Sequence, residues 1–99
     1  MLAKILIKRR FKEGHTREVI NLLHDLRAAA ISQPGYISGM TLMGYHDPQT
    51  LLVIGTWQNM ESWHQWKNHA RRKEFEAMID IYLKEPAVYE EYLLGTEAH

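Results

Sequence analysis

Residues 56–78 gather the side chains best suited to chemistry. They hold all three tryptophans (Trp57, Trp63, Trp66), two histidines (His64, His69), Asn59 and Asn68, and the basic run Arg71, Arg72, Lys73. Trp66 and His69 stand three residues apart, a spacing that puts both on one helix face. There an indole can stack on a substrate ring while an imidazole, which titrates near neutral pH, accepts a proton. Asn59, Asn68 and Arg72 are of the right type to hold the substrate's oxygens, with Arg72 at the pocket mouth. Trp63, three positions before Trp66, can line the same face. Met40 and Met43 suit a pocket for apolar ligands because a thioether adapts its shape.

Each of these residues also has a plainer reading. Trp66 can be a packed core residue and His69 a solvated one, Trp57 a strand-end brace for the helix, and Trp63 core filling. Met40 and Met43 can be core, and Arg72 an exposed member of a charged helix. His64 lies off the shared face and is expected in solvent. Glu90 and Glu91 are adjacent in a strand, so they face opposite ways and cannot form one site.

Composition narrows the function classes. The 99 residues fit one domain, and a chain of this length buries only ~65% of its unfolded surface, which favours association. With no cysteine there is no disulfide framework, thiol catalysis or thiolate metal site. The histidines lack a metal-ligand spacing such as H-E-x-x-H, and no protein-bound metal is expected. Twelve basic and twelve acidic residues balance, which argues against nucleic acid as partner. No apolar run is long enough to span a membrane, and the opening residues lack the features of a signal peptide, so a cytoplasmic location is expected.

The elements that must position these residues follow from periodicity. Residues 2–11 read as a strand with Ala3, Ile5 and Ile7 on one face and Lys4, Leu6, Lys8 and Arg10 on the other. Thr16 is the expected N-cap of a helix over 17–31, with Val19, Leu22, Leu23, Leu26 and Ala30 forming its apolar stripe. Pro34-Gly35 makes a turn. Residues 36–45 and 51–58 form a hairpin joined through His46-Asp47-Pro48-Gln49. Neither hairpin face is polar, so both require cover. Gly39, Gly44 and Gly55 mark bulges or close approaches. A second helical segment, 60–70, runs on, with room for a bend, into 71–83, where Phe75, Met78, Ile79 and Tyr82 form an apolar stripe. Residues 87–94 form a fourth strand and 95–99 a loose tail. The order strand, helix, strand, strand, helix, strand predicts a single α+β domain over 1–99. Its form is a ferredoxin-like antiparallel sheet with helices on one face. The opposite apolar face then calls for a second copy, most simply in a C2 homodimer through the open sheet face.

Three features together resemble the antibiotic biosynthesis monooxygenase superfamily of dimeric α/β barrels. They are Gln33-Pro34-Gly35-Tyr36 entering the second strand, Gly55-Thr56-Trp57 closing the third, and the Glu61/Trp63/Trp66/His69 spacing on the helix. The resemblance covers nearly the whole chain. It implies a monooxygenase that needs no cofactor and oxidises an electron-rich aromatic, quinol- or anthrone-like, with dioxygen. Trp66, His69 and Asn59 are then the catalytic candidates, and Trp63, Asn68, Arg72, Met40 and Met43 the substrate-binding ones. A non-catalytic dimeric barrel that holds a hydrophobic small molecule or haem is the alternative. A haem-degrading monooxygenase is third. Trp66 stands where those enzymes place their helix Trp, but Ile7 replaces their first-strand Asn and Glu76 their ligand His.

Overall fold

A computed structural model describes residues 1–95 of the chain. The expected tail, 95–99, lies outside the described residues except for Gly95. Four strands, β1 (Ala3–Arg10), β2 (Tyr36–Met43), β3 (Thr50–Trp57) and β4 (Val88–Leu93), form one antiparallel sheet in the order β2-β3-β1-β4. Three helices, α1 (Thr16–Ile31), α2 (Met60–Lys67) and α3 (Ala70–Asp80), complete the ferredoxin-like α+β fold. No helix among the described residues is long and apolar enough to cross a membrane.

Register sorts the sheet into two faces, because residues directly opposed across an antiparallel pair share a side. One face carries Ala3, Ile5, Ile7 and Arg9 against Trp57, Gly55, Val53 and Leu51, with Leu93, Glu91 and Tyr89 completing the rows from β4. This is the core side: Ala3, Ile5, Ile7, Leu51 and Trp57 are buried there with Val19, Leu26, Ala29 and Ala30 of α1, Trp63 and Trp66 of α2, and Ile79 of α3. The other face presents Met40, Leu42, Leu52, Ile54 and Leu6, then Lys4, Lys8, Val88, Glu90 and Tyr92. Among the described residues, no helix packs on it. Met40, Leu42, Val88 and Tyr92 are exposed on it.

Three local expectations are corrected. Thr16 is the first helical residue of α1, and the N-cap is His15, whose side chain makes no capping bond. The second helix is two helices. Asn68 closes α2 by donating from its side chain to the His64 carbonyl (2.9 Å), and His69 opens α3 by accepting from the Arg71 N–H on Nδ1 (3.0 Å). Polar side chains that bond nearby backbone give the chain an alternative to continuing a helix. Met78, expected inward, is exposed, and the inward residues of α3 are Arg72, Phe75, Glu76 and Ile79. The break has a large consequence. On one unbroken helix at ~100° per residue, Arg72 would point about 180° away from Trp63. The break at 68–69 lets both line the same interior.

Two loops use residues that their geometry demands. Asp47 stabilises the β2–β3 connection by accepting from the Thr50 hydroxyl (2.8 Å) and the Gln49 N–H (3.2 Å). The Thr50 bond above all holds its carboxyl below the usual range; desolvation opposes it, and the Gln49 N–H and the Arg10 and Lys84 charges add to it. Gly35, before β2, has φ +85 and packs so closely that an added Cβ would come within 2.6 Å of Ser62 Cβ. Gly14 has φ +88 with nothing within 4 Å of such a Cβ. Gly14→Ala is therefore expected to cost about 1–2 kcal/mol, from the left-handed backbone alone. Gly35→Ala should cost roughly 2–4 kcal/mol, since Ser62 must also move. Urea midpoints at unchanged slope measure the gap. Equal losses would mean that Ser62 yields freely.

Candidate functional site

A cleft between the core face of the sheet and the helices opens past α1 and β2, with a volume of ≈ 80 Å³ accessible to water-sized groups. That is room for on the order of half a dozen waters, or for one small ring system. Its floor is made by missing side chains. Gly39 and Gly55 are cross-strand partners on the core face. A Cβ on Gly39 would meet the Tyr36 hydroxyl at 2.8 Å, and one on Gly55 the Trp57 Nε1 at 3.5 Å. Trp57, Trp63 and Trp66 form an aromatic wall; Trp57 meets Tyr36 edge-on at 5.3 Å between centroids and Trp63 at 5.9 Å. Aliphatic groups of Ile5, Ile7, Val53, Leu26 and Ala30 fill in the rest. At the mouth, Arg27 of α1 donates to the Gly39 carbonyl of β2 (2.8 Å).

The polar part of the lining is cationic. Arg9 follows Ala3, Ile5 and Ile7 on the core face of β1 and is 2% exposed. Its Nη2 donates to Glu76 Oε1 at 2.6 Å. Arg72 is 3% exposed and reaches the same oxygen at 3.2 Å, one helical turn before Glu76 on α3. It also donates to the Tyr89 hydroxyl (3.1 Å) and lies over the Trp63 ring at 5.1 Å. Two guanidiniums thus share one carboxylate and leave a net positive charge under the aromatic wall. Arg9 Nε is buried without a hydrogen-bond partner.

A second carboxylate holds the aromatic wall from outside. Glu91 of β4 accepts from Trp63 Nε1 at 2.6 Å and stands 3.0 Å from His64 Nε2 and 3.7 Å from Lys67 Nζ. Desolvation pushes the Glu91 carboxyl up, but the Trp63 and His64 hydrogen bonds with the His64 and Lys67 charges outweigh it, and the group sits below its ordinary value.

The expected site residues divide. Trp63, Trp66 and Arg72 line the cleft, and so does Trp57, which sequence alone favours as a brace. Met40 borders it along β2, although pairing with Ile54 turns its side chain to the other face of the sheet. Met43 is exposed and borders a separate small cleft with Phe11, Val19 and Leu51. Asn59 caps α2 by accepting from the Ser62 N–H (2.8 Å), and Asn68 and His69 cap the α2–α3 break; all three are exposed and none lines the cleft. His69 does lie near Trp66, 5.4 Å between ring centroids, but is not part of the cleft lining. His64 is exposed as expected, though paired with Glu91. Arg9, Tyr36, Glu76, Tyr89 and Glu91 were not among the candidates. Strand alternation places Arg9 with Ile5 and Ile7, and the i, i+4, i+7 spacing of Arg72, Glu76 and Ile79 carries the other half of the signal.

The family model for antibiotic biosynthesis monooxygenases matches residues 3–78. The chain belongs to that family. No curated protein matches it. Among solved structures it resembles a conserved protein from Methanosarcina mazei Go1 (18% identity, TM-score 0.87, covering 93% of this chain and 91% of that one). It also resembles a candidate antibiotic biosynthesis monooxygenase from Nitrosomonas europaea (14% identity, TM-score 0.87, 98% and 92%). A third is SnoaB, a cofactor-independent oxygenase from Streptomyces nogalater (9% identity, TM-score 0.85, 98% and 96%). At such identities the likeness is one of fold. The family supports a monooxygenase-type role, and the cleft of this member is aromatic-walled and cationic.

Because the folded Glu91 carboxyl is depressed, its contribution is present above the unfolded value, about 4.3, and is lost as pH falls through the folded one. Wild-type stability should therefore drop on acidification below about pH 4.5, and Glu91→Gln should flatten that limb relative to wild type. Urea unfolding followed by tryptophan fluorescence from pH 3 to 7, on the order of one point per half unit, measures the two curves. Parallel acid limbs would show that Glu91 gains nothing from Trp63 and His64.

Proposed function

We propose that the chain is a monooxygenase that uses dioxygen without a cofactor, acting on a small electron-rich aromatic seated in the cleft between sheet and helices. The observation that carries this is the cleft itself, three indoles and a tyrosine over a glycine floor with guanidinium at one end. Such a site desolvates and stacks a ring while fixing one oxygen. The reaction balances without outside electrons. For an anthrone-like ring the substrate loses a proton, and its anion passes one electron to dioxygen. The resulting radical and superoxide combine to a peroxide, which takes up a proton and breaks its O–O bond. One oxygen becomes the new carbonyl and the other leaves in water, consuming both hydrogens of the original CH₂. Trp66 and Trp63 stack on the ring, and Arg72 and Arg9 face its oxygen. Asn59, Asn68 and His69 act on this reading by shaping α2 and α3, and thereby the placement of Trp66 and Arg72.

A cofactor-free reaction also agrees with Glu76. It stands at the position where haem-degrading members carry their ligand histidine, and both guanidiniums hold it. Its chemistry does not fit haem ligation. A binding barrel without turnover is the second reading, favoured by the lack, among the described residues, of any carboxylate or imidazole on the cleft lining.

Oxygen uptake by the purified protein, against hydroquinones, anthrones and naphthols with no added cofactor, separates the two. Uptake with one of these substrates is expected, lost in Trp66→Ala and in Gly55→Val, which fills the floor. Saturable binding of these ligands with a flat oxygen trace would favour the binding barrel.

The functional unit is proposed to be a homodimer through the open sheet face. Met40, Leu42, Leu52, Ile54 and Leu6 form an apolar field there that no element among the described residues covers. Sedimentation should give twice the chain mass, and Ile54→Asp, at the centre of that field, should shift it to the monomer. A wild-type monomer at micromolar concentration would remove the dimer from the scheme.

A further inference from the structure

The cleft raises a problem of acid–base chemistry. Its titratable lining consists of Arg9 from β1, Arg27 from α1, Tyr36 from β2 and Arg72 from α3. The carboxylates nearest to it are already engaged, Glu76 by Arg9 and Arg72, and Glu91 by Trp63, His64 and Lys67. Tyr89 of β4 accepts from Arg72. The nearest imidazole, His69, spends Nδ1 on the Arg71 N–H and sits outside the lining. Among the described residues, therefore, no free base faces a ligand in the cleft. What faces it is positive charge.

That charge is unusual in its hydrogen bonding. A guanidinium has five N–H donors. Arg9 gives one to Glu76, and its Nε is buried with no partner. Buried donors are rarely left empty, because an unpaired one forfeits its hydration. An opposite charge within ~4–6 Å lowers an acid's pKa by about 1–3 units, whereas an apolar wall alone would raise it.

Resting on the reading of this cleft as the substrate site, we propose that it takes its aromatic ligand as the oxyanion, a phenolate or enolate. The Arg9–Arg72 pair stabilises that form in place of a protein base. The ligand's O–H proton passes to water or buffer at the mouth beside Arg27, and the electron pair stays on oxygen, facing the guanidiniums. Arg9 is then a substrate-binding residue, and the ligands preferred are acidic phenols and enols over neutral rings of the same size.

The test needs neither oxygen nor turnover. 4-Nitrophenol is a single-ring probe whose phenolate absorbs visible light. Under anaerobic conditions it is titrated with the purified protein across pH, with binding read from tryptophan quenching and ionisation from absorbance. The bound probe is expected to ionise about 1–3 pH units below the free one, and nitrobenzene to bind at least about tenfold more weakly, the factor that one such unit represents. Arg9→Met should return the bound probe's ionisation to the free value or above it. If Arg9→Met does not fold, Arg9→Lys keeps the charge but loses the planar fork, and it should bind the phenolate several-fold more weakly. An unshifted or raised ionisation in wild type, equal binding of nitrobenzene, no saturable binding, or a shift and affinity untouched by the Arg9 variants would each overturn the proposal. A bound phenolate with no oxygen uptake on any substrate would leave this inference standing while the oxygenase reading falls. Uptake with an unshifted probe would do the reverse.

Discussion

Two guanidiniums that share one carboxylate oxygen inside a 99-residue domain are the constraint around which the rest is arranged. Burying an ion pair commonly gains nothing over packed apolar residues, and a third charge without a partner makes the arrangement worse. The triad is therefore hard to explain as a stabilising device. It does fix geometry. Arg9 sits at the end of β1, and Glu76 and Arg72 on α3, so the shared oxygen ties the sheet to the last helix across the cleft. Tyr89 and the Trp63 ring hold Arg72 from the two remaining sides. A residual positive charge is kept on the cleft lining.

The apolar side of the site is built by subtraction. Gly39 and Gly55 face each other across β2 and β3, and the Tyr36 hydroxyl and Trp57 indole lean over the space their side chains would fill. Glu91 keeps Trp63 in place from behind, through the indole N–H. Neither glycine has a positive φ, so the backbone there would accept other residues. Their role is spatial. A cleft with an aromatic and aliphatic wall and guanidiniums at one end would, on the proposed reading, select small planar anions by exclusion as much as by attraction.

The architecture was readable from the sequence because it rests on periodicity. The alternation of Ala3, Ile5 and Ile7, the Leu22/Leu26 stripe and the Pro34-Gly35 turn all repeat signals of period or turn chemistry, and the four strands appear within one or two residues of expectation. The tryptophans were readable too, since large aromatics must pack somewhere. The polar half of the site was not. Arg9, Arg72 and Glu76 look like solvated residues to any rule that treats charge as exposed. Each is made tolerable inside only by the others, 67 positions apart in one case, and one sequence does not display that pairing. Conversely, Asn59, Asn68 and His69 drew attention because their side chains can bind ligands, yet the same capacity lets them bind backbone at helix ends. Trp63 and Arg72 then share an interior that an unbroken helix would deny them.

The charge balance of the triad bears on the chemistry as well as on binding. A positive field that favours an oxyanion also lowers the energy of its electron pair, which makes the anion a poorer reductant. Two free guanidiniums would deepen both effects. Glu76 cancels one charge, so the field is weaker than two free guanidiniums would impose. Dioxygen changes the balance again. In the proposed reaction, once the electron moves from ring to oxygen, the negative charge stays within the same small cleft, on superoxide instead of on the ring. A field that acts on both anions at similar distance cancels to first order from the transfer step. What remains is its effect before that step, in choosing which protonation state of the ligand occupies the site. With no free base on the cleft lining among the described residues, that choice is where, on the proposed reading, the protein's own side chains exert most control over the reaction.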